Sequence, residues 1–164
     1  MNREERLAFV RAHRTAMFGV NRRHDGPAMS IVYYVMDGND ILVSTMEARG
    51  KAKAVRRNPK VSLCVLDEQW PLTYLLLYCN AIIDATVDTD LETVVELGMR
   101  ISGLMAGRVM HESARDAVRE RVIAERRVQL RLQPYTSFES SPRHVYSPED
   151  AKGLTHDLGQ SLPW

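Results

Sequence analysis

The chain has 164 residues and a mass of 18.7 kDa, with 22 Lys and Arg against 21 Asp and Glu. That is the length of one domain, long enough to bury a core without disulfide or metal staples, and 45% apolar with 26% charged residues excludes a largely disordered chain. A net charge of +1 excludes a protein that coats nucleic acid by bulk charge, and two cysteines, Cys64 and Cys79, exclude a disulfide framework or a four-cysteine zinc site.

The first residues, Met1-Asn2-Arg3-Glu4-Glu5-Arg6, are charged and lack the apolar stretch of a secretory signal. No apolar run is long enough to span a bilayer, so a cytoplasmic protein without a membrane partner is expected. Residues 3–14 predict an amphipathic helix with Leu7, Phe9 and Val10 on its apolar side. Strands are predicted at Thr15–Asn21, Ala28–Met36 and Ile41–Thr45, separated by the turns His24-Asp25-Gly26-Pro27 and Asp37-Gly38-Asn39-Asp40, where Asp-Gly and its neighbours suit tight hairpins. Residues 49–58 read as a short helix stopped by Pro59. Two further strands follow, Val61–Leu66 and Leu72–Asp84, joined by the turn-like Asp67–Pro71.

Asp88-Thr89-Asp90 offers N-caps for a helix over roughly 90–105, in which Gly98, Gly103 and Gly107 either weaken the helix or admit another backbone. His111–Arg127 predicts a second helix, and Val128–Leu132 alternates as a last strand before the pattern fades beyond Pro134. Ser147-Pro148 opens a short helix that Gly159 ends, and the terminal Trp164 predicts that the tail docks on the rest of the molecule. Hairpin-linked strands with one short inserted helix do not make a doubly wound βαβ series. They predict a mainly β, antiparallel barrel with attached helices.

The near-neutral total hides a segregation of charge. Arg49, Lys51, Lys53, Arg56, Arg57 and Lys60 face only Glu47 within residues 47–60. Residues 61–99 contain no Lys or Arg but hold Asp67, Glu68, Asp84, Asp88, Asp90, Glu92 and Glu96. Most of the basic run reads as a solvated helix face. On a helical wheel, however, Lys51 falls among Ala48, Ala52, Ala54 and Val55, on the inward side. It either snorkels along its stem or meets an anion at a helix start, with Ser44, Thr45, Arg49 and Gly50 around it.

The ordered set Ile41-Leu42-Val43-Ser44-Thr45, Gly50-Lys51-Ala52 and Arg57-Asn58-Pro59-Lys60-Val61-Ser62-Leu63 spans, with the two Asp-Gly turns, about residues 7–84. It resembles the pyridoxamine 5′-phosphate oxidase-like split β-barrel family, and within it the flavin and deazaflavin oxidoreductases, many of which use coenzyme F420. The resemblance implies a six-stranded antiparallel split β-barrel, mainly β (α+β), with flanking helices. It divides the chain into a cofactor-binding barrel at 1–133 and a C-terminal extension at 134–164 that packs on the barrel or the partner subunit. It implies a homodimer with cofactors in grooves at the subunit interface, and hydride transfer from reduced F420 to a small unsaturated acceptor. Ser44, Thr45, Arg49, Gly50 and Lys51 are implied to hold the cofactor's phosphate, and Ile31, Val32 and Tyr33 to pack its ring. Arg56 and Arg57, with Arg3 or Arg6, are candidates for an acidic deazaflavin tail that FMN lacks.

A redox cofactor carries the hydride itself, so no catalytic triad is expected and none is found. Tyr33, Tyr34 or solvent are the candidate proton donors. The alternatives are an FMN-dependent oxidase or reductase, and a non-catalytic carrier of FMN, haem or deazaflavin. Vitamin B6 oxidation is not expected, because Arg143-His144 only partly echoes the Arg-x-His element of pyridoxamine phosphate oxidases. No metal site is expected from the scattered histidines. A nucleic-acid role for the basic face lacks interleaved aromatics and a groove-reading motif. Tyr74 and Tyr78, on one face of a strand, are expected to pack in the core or at a dimer interface.

Overall fold

The computed structural model describes residues 1–67, 69, 73–139 and 160–164. Asn2 opens the first helix, α1 (Arg3–Ala12), with a reciprocal cap: its Oδ1 accepts from the Glu5 N–H while the Glu5 carboxylate accepts from the Asn2 N–H. Six strands then build a barrel: β1 (Thr15–Val20), β2 (Ala28–Asp37), β3 (Asp40–Met46), β4 (Lys60–Asp67), β5 (Thr73–Thr86) and β6 (Arg127–Glu139). All neighbouring pairs are antiparallel, in the order β3-β2-β1-β4-β5-β6, and β3 pairs with β6 to close the circle. The fold is therefore the mainly β, antiparallel barrel that the hairpin pattern predicts.

Alternation along the strands fills its interior. Phe18, Tyr34, Ile41, Leu63, Leu75, Leu77, Leu130 and Leu132 are almost completely buried there. Tyr34 donates its hydroxyl to the Val10 carbonyl at 2.7 Å, fastening α1 over the barrel. Helix α2 (Gly50–Arg57) spans the link between β3 and β4, and α3 (Leu91–Ala106) lies against β2 and β3 through Val35, Leu42 and Leu97.

Two predicted elements need correction. The helix expected over His111–Arg127 is a 3-10 turn at Glu112–Ala114 followed by α4 (Arg115–Ala124). Arg126 takes φ 45°, its carbonyl accepts from the Glu47 N–H, and its guanidinium pairs with Glu47 and Asp88, so the chain turns there into β6. Strand β6 in turn does not fade at Pro134 but runs to Glu139. Pro134 stands opposite Cys79, where the register with β5 shifts, and such an irregularity is where a residue without an N–H fits a strand. Past it, β6 takes up the short strand β7 (Gln160–Pro163). Arg6, buried to 5% exposure, donates to the Pro163 carbonyl at 2.7 Å, and Trp164 packs against the core and donates to Asn39. Trp70, the Ser147-Pro148 helix and Arg143-His144 lie outside the described residues.

The glycines of α3 admit close neighbours. A Cβ on Gly98 would meet Val118 of α4 at 2.9 Å, and one on Gly103 would meet the Arg108 carbonyl at 2.8 Å. Gly107, at φ 65°, ends the helix in the left-handed region and folds Arg108 back onto Gly103. Gly103→Ala is expected to lower the melting temperature by several degrees, although alanine is the better helix former by about 1 kcal/mol. A thermal melt in which the variant matches or exceeds the parent contradicts this packing.

Candidate functional site

Helix α2 positions the site. Ala52, Ala54 and Val55 are buried against the barrel, so the wheel position of Lys51 turns it towards β2 rather than solvent. Its Nζ donates to the Ser30 hydroxyl of β2 at 3.0 Å. Partial burial, and then the neighbouring Arg49 charge, hold the Lys51 ammonium below the ordinary lysine value of 10.5. Among the described residues no carboxylate pairs with Lys51 or Arg49.

Lys51 and Arg49 stand between two hollows. The first, of about 460 Å³, is walled by Arg22, Arg23, Met29, Ser30, Lys53 and Arg57 and reaches Gly50. The second, of about 330 Å³, is walled by Ile31, Tyr33, Ser44, Thr45, Ile101 and Met105, with Val32 and Arg127 also on its rim. One is lined by a cluster of cations, and the other joins apolar side chains to hydroxyls and to Arg49, Lys51 and Arg127. The N-terminus of α2 opens between them. Its N-cap, Arg49, makes no side-chain cap bond, and no atom lies within 4 Å of where a Gly50 Cβ would be. The first N–H groups of the helix are thus available to an anion.

The site residues expected from the sequence divide accordingly. Ser44, Thr45, Arg49, Lys51, Ile31, Val32 and Tyr33 meet at the second hollow, and Arg49, Gly50, Lys51 and Arg57 at the first. Four candidates are not brought to either, the exposed Arg3 of α1 among them. Arg56 turns away to Glu47, at 2.7 Å. Tyr34 is in the barrel core with its hydroxyl on Val10, and burial pushes its pKa further above the tyrosine range. Arg6 holds the C-terminal strand.

Several lining residues carry no local sequence signal. Arg127 donates to the Ser44 hydroxyl at 3.2 Å across 83 residues, because β3 and β6 close the barrel there. Ile101 and Met105 arrive on α3, while Arg22 and Arg23 lie in the β1–β2 connection.

The charge segregation is resolved across space. The acidic stretch is matched by later arginines: Asp84 with Arg131, Asp88 with Arg126, Glu92 with Arg119 and Glu96 with Arg115. Arg131 also reaches Asp37 and Asp40, so three carboxylates converge on one guanidinium. Of the basic stretch, only Arg56 is paired in this way among the described residues. Apart from Arg22, which pairs with Asp25, the cations around Lys51 therefore have no carboxylate partner among the described residues to compete with a ligand.

A phosphate-bearing planar cofactor fits these residues. They supply free N–H groups, two unpaired cations, hydroxyls and an adjoining apolar wall. A family model described as pyridoxamine 5′-phosphate oxidase matches residues 3–147. No curated protein matches the chain. Among solved structures, the conserved hypothetical protein Rv2991 from Mycobacterium tuberculosis is 18% identical, with 98% of this chain and 93% of that one covered at a TM-score of 0.72. A structure named F420 reductase is 18% identical, with 76% and 88% covered at 0.53. HutZ, a haem storage protein from Vibrio cholerae, is 17% identical, with 80% and 89% covered at 0.56. These likenesses show a shared fold.

Proposed function

The chain belongs to the pyridoxamine 5′-phosphate oxidase family, and from that membership we propose that it is an F420-dependent oxidoreductase acting on a small unsaturated organic acceptor. The bound deazaflavin supplies the hydride, and the chain's own residues bind, orient and shield. Lys51, Arg49 and the first N–H groups of α2 hold the phosphate. Ser44 and Thr45 add hydroxyls, and Ile31, Val32 and Tyr33 pack the ring. Tyr33 is the remaining tyrosine at the hollow with a hydroxyl to hand a proton to the reduced acceptor.

The observation that carries this reading is the basic hollow beyond Lys51. Arg23, Lys53 and Arg57 face it without a carboxylate partner among the described residues, and Arg22 shares its charge with Asp25. FMN ends at its phosphate and would leave these cations unanswered. The acidic tail of F420 would extend among them. A structure named F420 reductase shares the fold, which supports the same choice.

The reading includes a homodimer. Ile31, Met17, Cys64, Leu76 and Phe138 are register partners in one row across five strands, on the outer face of the sheet. Ile31 is 73% exposed and Met17 41%, and a row of this kind on a sheet face favours a second copy over water. Because Ile31 belongs to both the row and the ring wall, the partner would also close the second hollow.

The pH dependence follows from Lys51. Its ammonium is lost at lower pH than in an ordinary lysine, and only the charged form attracts phosphate. Cofactor affinity is therefore expected to fall as pH rises towards 10.5, beginning below that value. Arg49→Gln removes a like charge and moves this fall to higher pH while weakening binding overall. A dissociation constant that stays flat across the alkaline range contradicts a phosphate on Lys51. Turnover is tested by mixing the protein with reduced F420 and a panel of unsaturated acceptors. Recovery of the oxidised deazaflavin absorbance on adding an acceptor supports the enzyme, and tight binding without turnover on any acceptor supports a carrier.

A further inference from the structure

A further cavity among the described residues lies elsewhere. It has a volume of about 850 Å³ and sits where the end of α1, the start of β1 and the C-terminal half of α3 meet the loop before the 3-10 turn. Helix α3 lies between it and the second hollow: Ile101 and Met105 face that hollow, while Arg100, Gly103 and Leu104 face this one.

Its lining combines two chemistries. Val35, Met99, Leu104, Val109 and Met110 provide an apolar wall, and Val109 is 94% exposed, an uncommon position for a valine without an occupant beside it. Arg11, Arg14, Arg100 and Arg108 surround that wall, and none pairs with a carboxylate among the described residues. Arg11, Arg14 and Arg100 each donate one bond to a backbone carbonyl, of Gly38, Leu104 and Met36. A guanidinium has five N–H donors, so most of each fork is left for a ligand. The remaining charged groups at the rim, Arg115 with Glu96 and Glu112, satisfy one another.

Arg22, Arg56, Arg115, Arg119, Arg126, Arg127 and Arg131 all have carboxylate partners. Arg11, Arg14, Arg100 and Arg108 have none among the described residues, and all four converge on this one cavity. The backbone is also arranged to bring one of them there. Arg108 is folded over the cavity by the close approach to Gly103 that a side chain would block. We propose that this cavity is a second ligand site, separate from the cofactor groove, that takes an amphipathic organic anion with an apolar body on the valine and methionine wall and a carboxylate head among the arginines. The volume is in the range of small-molecule sites.

The test is calorimetric titration of the full-length protein with octanoate, 1-octanol and acetate. Octanoate is expected to bind saturably at one site per chain, and the alcohol and acetate about tenfold more weakly or worse. The double variant Arg11→Gln/Arg108→Gln removes two exposed side chains that hold no other side chain in place. It is expected to lose about tenfold in octanoate affinity and to keep the melting temperature and cofactor affinity of the parent. Lys51→Ala is expected to do the reverse. Absence of saturable octanoate binding, equal binding of the alcohol, or an unchanged octanoate affinity in the double variant overturns the proposal. A cofactor failure at Lys51 with octanoate binding intact overturns the oxidoreductase reading alone.

Discussion

Lys51→Ala is expected to weaken binding of F420, or of any phosphate-bearing flavin, by about 100-fold while leaving the melting temperature unchanged or slightly raised. The two halves of this result have one cause. In the free protein Lys51 is partly buried, bonded only to the Ser30 hydroxyl, and crowded by Arg49, so the fold gains little from its charge. A bound phosphate supplies the missing counter-charge at the mouth of α2, where Arg49 and the uncapped N–H groups also point. The side chain is therefore expected to matter for binding and not for folding. Equilibrium titration followed by fluorescence quenching, with a thermal melt of the same samples, checks both. A variant that melts far below the parent makes Lys51 a structural residue. One that binds cofactor as the parent does removes it from the phosphate site.

Met17→Asp is expected to turn the proposed dimer into a monomer, raising its dissociation constant by about 100-fold or more. Met17 sits inside the apolar row, opposite Ile31 on one side and Cys64 on the other. It is already 41% exposed in the single chain, so the carboxylate is tolerated by the barrel and penalised only where a second copy covers it. If the proposed partner closes the hollow beside Ile31 and Tyr33, the monomer is also expected to hold the cofactor more weakly. Sedimentation velocity over a range of concentrations reads the first effect. A parent protein that is itself monomeric, or a variant that stays dimeric, contradicts the use of this face.

The barrel up to Asp84 was readable because its parts are local. Asp-Gly turns and alternating β-branched residues define hairpins within a few residues of one another, and the structure changes those boundaries by only one or two positions. Lys51 was readable for the same reason, since a helical wheel needs only eight neighbours. The closure of β3 on β6 was not, and with it went Arg127 beside Ser44, because nothing near either residue announces a partner 83 positions away. Pro134 hid the second half of β6, since a proline normally ends a strand and only the shift in register beside it explains the exception.

Tyr33 and Tyr34 could have been separated by alternation alone. Adjacent strand residues face opposite ways, and Val32 and Tyr34 point into the core while Ile31 and Tyr33 point out. The two blocks of opposite charge suggested mutual cancellation along the sequence. In the fold Asp84, Asp88, Glu92 and Glu96 of the acidic block pair with arginines from α4, β6 and the turn between them, which leaves the basic block open.

The most direct test of this account is one titration series with three ligands at low salt: F420, the same deazaflavin phosphate without its acidic tail, and FMN. The account predicts that F420 binds about tenfold or more tightly than either, and that the gap narrows as salt screens the cations of the basic hollow. Equal affinity for the tailed and tail-less forms, or binding of FMN with none of F420, would contradict it.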